Sequence, residues 1–81
     1  MKTAPAPVKP ATYATYAIFS DASLLDVVVG GSWNSEQIPR IGERISVFVT
    51  GRSIIGVVSE VTYLLWENTK NTNVIINAIQ V

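Results

Sequence analysis

The stretch Ile38–Val61, IPRIGERISVFVTGRSIIGVVSEV, decides the fold. Ile45, Val47 and Val49 alternate with Ser46, Phe48 and Thr50, the period-2 pattern of a strand with two unlike faces. Thr50-Gly51-Arg52-Ser53 reads as a short turn in which Gly51 is free to take positive φ. A second apolar run follows with Gly56 in its middle. A glycine inside a strand marks a bend, a bulge or a close backbone approach. Strand, tight turn and glycine-bent strand together predict an all-β chain folded as a small five-stranded bent barrel.

Downstream, Ser53–Trp66 is long for a strand, whose usual length is about 5–6 residues. It must bend, and Gly56 supplies the place. Ile55, Val57, Val61, Tyr63 and Leu65 are expected on one face, with Glu60 and Thr62 opposite. The polar run Asn68–Asn73 is a turn. Asn73–Val81 (NVIINAIQV) then forms a terminal strand, with Ile75, Ile79 and Val81 on one face and Val74, Ile76 and Ala78 on the other. Apolar on both faces and last in the sequence, this strand is expected at an exposed edge that pairs with another subunit. Val74, Ile76 and Ala78 are therefore candidate interface residues.

Upstream, Tyr13–Ser20 (YATYAIFS) is a strand, Asp21-Ala22-Ser23 a turn, and Leu24–Val29 a second strand with Asp26 turned to solvent at an edge. A helix over Ser23–Val29 is the weaker alternative, because three consecutive valines resist helix formation. Gly30–Arg40 (GGSWNSEQIPR) reads as one long loop. Within it Trp33 has three readings: a plug over one barrel end, a subunit contact, or a stacking platform for a base. Residues 1–12 (MKTAPAPVKPAT) carry Pro5, Pro7 and Pro10, which exclude a helix or a central strand. They form a proline-rich arm, either a free tail or one lying on a neighbouring subunit, and residues 13–81 form the single barrel domain.

Composition narrows the function. Of the 81 residues 48% are apolar and only 15% charged, below the usual ~25%. A small monomer needs a polar skin, so this balance predicts a homo-oligomer. Six basic and six acidic side chains give a net charge of zero, whereas nucleic-acid binders usually carry a basic excess. No cysteine and no histidine means no disulfide framework, no thiolate or imidazole metal site and no common general base. The serines lack a nearby base, and the Gly51–Gly56 spacing lacks the Lys-Ser/Thr of a phosphate loop. The expectation is no enzyme, no cofactor, no metal and no membrane span, and no apolar stretch near the start suits a signal peptide.

RNA remains a candidate partner through loop-proximal Arg40, Arg44, Arg52 and Lys70, with Tyr63 and Trp66 for stacking. In a ring one arginine per subunit becomes a basic collar. The competing reading pairs Arg40, Arg44 and Arg52 with Glu36, Glu43 and Glu60 as ordinary surface charges. It leaves a structural or adaptor ring with no nucleic-acid ligand.

Arg44–Tyr63, RISVFVTGRSIIGVVSEVTY, resembles the first motif of the Sm and Sm-like RNA-associated proteins. Ile45, Val47, Val49, Gly51, Ile54, Gly56 and Val58 hold the matching positions. The resemblance covers about a quarter of the chain and implies an SH3-like barrel whose subunits join edge to edge into a closed ring. It extends to divergent Sm-like proteins of phage and marine environmental genomes, and so implies the cytoplasm of a bacterium or a phage-infected cell. The family's Asp-x-x-Met-Asn-like run is missing after the second strand, where Tyr63 and Asn68 stand in as stacking group and base-edge reader. The second motif, Arg-Gly followed by Asp or Asn, is missing from NTNVIINAIQV.

Overall fold

A computed structural model describes residues 12–34, 36–65 and 71–81. They form five strands and no helix: β1 (Thr12–Phe19), β2 (Val27–Trp33), β3 (Arg44–Val49), β4 (Arg52–Leu65) and β5 (Thr72–Gln80). The strands make one sheet in the order β2-β1-β5-β4-β3, which curls into a half-barrel. All neighbours are antiparallel except β1 and β5, which run parallel with Ala14 opposite Val74 and Ile18 opposite Ala78. The chain is thus two antiparallel ribbons, β1–β2 and β3–β4, joined by β5 between them.

One face of the sheet carries the core. Ala14 and Ile18 of β1, Val74, Ile76 and Ala78 of β5, Ile54 and Val58 of β4 and Ile45 of β3 are all buried. Tyr16, Val29, Trp33, Val47, Val49 and Val61 pack around them. The strands approach closely at Gly56. A Cβ there would sit 3.0 Å from Ile18 Cγ2 and 3.1 Å from the Ala78 methyl, so only a hydrogen lets β4 cross this close to β1 and β5. A second device lies three residues on, where the β4–β5 register shifts between Val58 and Glu60. Ser59 is the extra residue of that bulge, and its hydroxyl donates to the Asn77 carbonyl at 3.2 Å.

The β3–β4 turn is tighter than the sequence indicates. Val49 pairs directly with Arg52, leaving Thr50 and Gly51 as a two-residue loop with φ of 45° and 80°. Two positive φ values in succession define the type I′ hairpin turn, whose twist matches that of the flanking strands.

Four expectations are corrected. The strand β5 is central, bonded to β1 on one side and β4 on the other, so it is no edge. Its inner residues Val74, Ile76 and Ala78 are core, while Ile75 on the opposite face remains exposed. The strand β2 begins at Val27 and runs through Gly30 and Gly31, which had read as loop, leaving Asp26 before it. The second glycine faces the Tyr16 ring, where a Cβ would lie 3.3 Å from ring atoms, so the strand gives up a side chain to seat an aromatic. The Ser59 bulge flips the alternation in β4: Val61 and Tyr63 share the face of Val58, and Ile55 and Val57 point the other way. Finally, Thr12 opens β1 and does not belong to the arm.

Candidate functional site

The candidate RNA-binding residues are spread along the sheet. Arg52 opens β4 and Tyr63 stands near its far end, so eleven steps of strand separate them, about 36 Å of contour. Arg44 opens β3 opposite Val57, midway between them, and Arg40 precedes it in the loop. Tyr63 is exposed and stands alone at its end of the sheet among the assigned positions that are described. Trp66, Asn68 and Lys70 lie outside the described residues. One protomer therefore does not gather the described ones, Arg40, Arg44, Arg52 and Tyr63, into one site.

The carboxylates that could neutralise the arginines are engaged elsewhere. A Glu43 oxygen accepts the backbone N–H of Arg40, and a Glu60 oxygen accepts the Thr62 hydroxyl at 3.1 Å. Arg40, Arg44 and Arg52 form no ion pair among the described residues. Asp21 closes the β1–β2 turn: its carboxylate accepts the Ser23 hydroxyl and, at 2.9 Å, the Ser23 backbone N–H. Those two bonds, the hydroxyl first, hold its pKa below the ordinary aspartate value. Among the described residues no three His, Cys, Asp or Glu side chains come together as a metal site, and no helix could cross a membrane.

Trp33 packs within the protomer. Its ring meets Tyr16 edge-to-face at a centroid distance of 5.9 Å and an interplanar angle of 74°. The indole N–H donates to the Gln37 carbonyl at 2.6 Å, fastening the loop that follows β2 over one end of the core. The half-buried ring is a plug within the protomer. Val74, Ile76 and Ala78 are likewise corrected as interface residues, since at 1%, 0% and 0% exposure they have no surface to offer a partner.

Two other features were missed in the sequence. The first is the pair of sheet edges, β2 and β3, each bonded on one side only. Along β3 the pairing alternates, and the Val58 N–H donates to the Glu43 carbonyl across the ribbon. That phase turns the backbone N–H groups of Arg44, Ser46 and Phe48 away from β4. The second is the outer face, where Tyr13, Phe48, Ile55, Leu64 and Ile75 remain exposed. On it Tyr13, Thr15, Leu64, Asn73, Val74 and Ile75 line an open groove of about 380 Å³. The alternation of β1 and β5 placed Tyr13, Thr15 and Ile75 on outward positions, but only strand order brings them together.

No protein-family model matches the chain, and no curated protein or solved structure matches it either.

Proposed function

We propose that the protein is a self-associating structural subunit whose copies join strand edge to strand edge. The observation that carries this reading is the pair of unpaired edges at opposite sides of a single curled sheet. Exposed N–H and C=O rows recruit a further strand wherever nothing blocks them. The β3 edge, RISVFV, has one charge at its start, no proline, and Phe48 83% exposed. Pairing β3 of one copy along β2 of the next is head-to-tail, and closes into a ring when the rotation per step divides a full turn. The radius of gyration, 16.0 Å, exceeds the about 12 Å of a close-packed chain of this length, which fits a sheet completed by neighbours. The Sm-like hairpin supports the same ring.

A second reading, association of that ring with RNA, is favoured by Arg40, Arg44 and Arg52. All three lie on or beside the β3–β4 ribbon, with Glu43 and Glu60 turned to other partners. Repetition around an axis would gather them. The zero net charge favours the purely structural role.

Light scattering and native mass spectrometry at low and high salt, with the 260/280 nm absorbance ratio recorded, test both. An oligomer free of nucleic acid at either salt supports the structural subunit; co-purifying nucleic acid shed at high salt supports the RNA reading. Ser46→Pro, which deletes an outward N–H and no β4 bond, is expected to yield a folded monomer. Phe48→Lys serves the same end without altering the backbone. A wild-type chain that is monomeric throughout overturns edge-to-edge assembly.

A further inference from the structure

The groove on the outer face lies at the end of the sheet where β1 begins, at Thr12. Tyr13, 59% exposed, forms one wall, Ile75 and Leu64 the floor and far wall, and Thr15 and Asn73 supply polar groups between them. Tyr13 and Asn73 are direct partners across β1–β5, and Asn73 and Leu64 across β5–β4, so three strands build the site rather than a loop. An aromatic wall beside amide and hydroxyl donors is the chemistry that holds an extended proline-rich segment. Such a segment has few backbone donors, keeps its carbonyls free and is already ordered before it binds.

The segment with that chemistry is in this chain. Residues 1–11, MKTAPAPVKPA, carry three prolines separated by Ala6 and by Val8-Lys9, and they join the sheet at Thr12, beside the groove's own Tyr13. We propose that the groove takes residues 1–11 of a second copy as an exchanged arm, which rests on the self-association argued above. Two arguments favour exchange over a fold back onto the same protomer. β1 runs from Thr12 toward Thr15, so a path continued backwards from Thr12 leads off the groove, and a fold back onto the same protomer requires a reversal. Extended at about 3.1 Å per residue, the arm reaches on the order of 34 Å, enough to cross the 31 Å middle dimension of the protomer onto a neighbour. Charge agrees as well. Among the described outward residues of β1, β5 and the β4 segment paired with them, Glu60 is the one charged side chain, and the arm brings Lys2 and Lys9.

The chain has no cysteine, so Val8→Cys in the full-length protein offers a single attachment point for a nitroxide. Tagged, unlabelled chains are mixed with untagged, ¹⁵N-labelled chains, and broadening is read on the labelled copies. The expected result is broadening at the amides of Tyr13, Thr15, Asn73 and Ile75 several-fold above that at Phe48 and Ile55, reduced by Tyr13→Ser. Uniform broadening of the labelled copies, or none, overturns the exchanged arm. Light scattering on the same samples separates the two ideas: an assembled sample with no localised broadening removes the arm alone, whereas a monomeric sample removes the assembly with it.

Discussion

Thr50 is a β-branched residue held at φ 45°, in the left-handed region that its branched Cβ resists. The type I′ turn demands positive φ at this position, and Gly51 meets the same demand next door without strain. Thr50→Asn creates the Asn-Gly pair that this turn prefers, and is expected to raise stability by about 1 kcal/mol. The check is a higher urea midpoint with an unchanged slope. Gly56 is the opposite case, a residue whose missing side chain is used. Gly56→Ala forces its methyl against Ile18 and Ala78, and is expected to destabilise by about 1–3 kcal/mol. An unaltered midpoint in the same denaturation series would mean that the strands can part there freely. Both glycines stood out in the sequence as punctuation. The strain at Thr50 did not, because only the pairing of Val49 with Arg52 shortens the loop to two residues.

At the scale of elements, β5 joins two ribbons that do not otherwise share a ladder. Ile76 is fully buried at its centre, opposite Tyr16 on one side and Val61 on the other. Ile76→Ala is expected to cost about 2–5 kcal/mol. Amide exchange should show the β1–β2 and β3–β4 ribbons losing protection together; loss in one ribbon alone would mean that β5 does not couple them. Alternation made β1, β3, β4 and β5 legible in the sequence, along with the bend at Gly56. The strand β2 was half hidden, because Gly30 and Gly31 are loop residues by composition and become strand only by pairing with Ala17 and Tyr16. The Ser59 bulge was invisible, as nothing in VVSEV announces one unpaired residue. The order of strands was the decisive gap: the parallel pairing of β1 with β5 joins residues distant in sequence, and local pattern carries no information about it. That order also decides the site. It buries Val74, Ile76 and Ala78, and assembles a groove from three strands.

The molecule as a whole is a sheet with a finished inner face and an unfinished outline. Its core is complete at β5, and its exposed apolar side chains gather on the outer face and near the ends of strands. Assembly at the β2 and β3 edges and capture of an arm on the outer face would use different surfaces, so the two contacts should be separable by mutation. The central position of β5 has a further consequence, for synthesis. Ribosomes deliver β1 to β4 first, and every β1–β5 pair bridges roughly 60 positions of chain. Until Thr72–Gln80 emerges, the nascent chain holds two hairpins, each marginal in water, with the strand faces meant for β5 open to any passing β-former. β5, made after the other four strands, is therefore the one that completes the sheet.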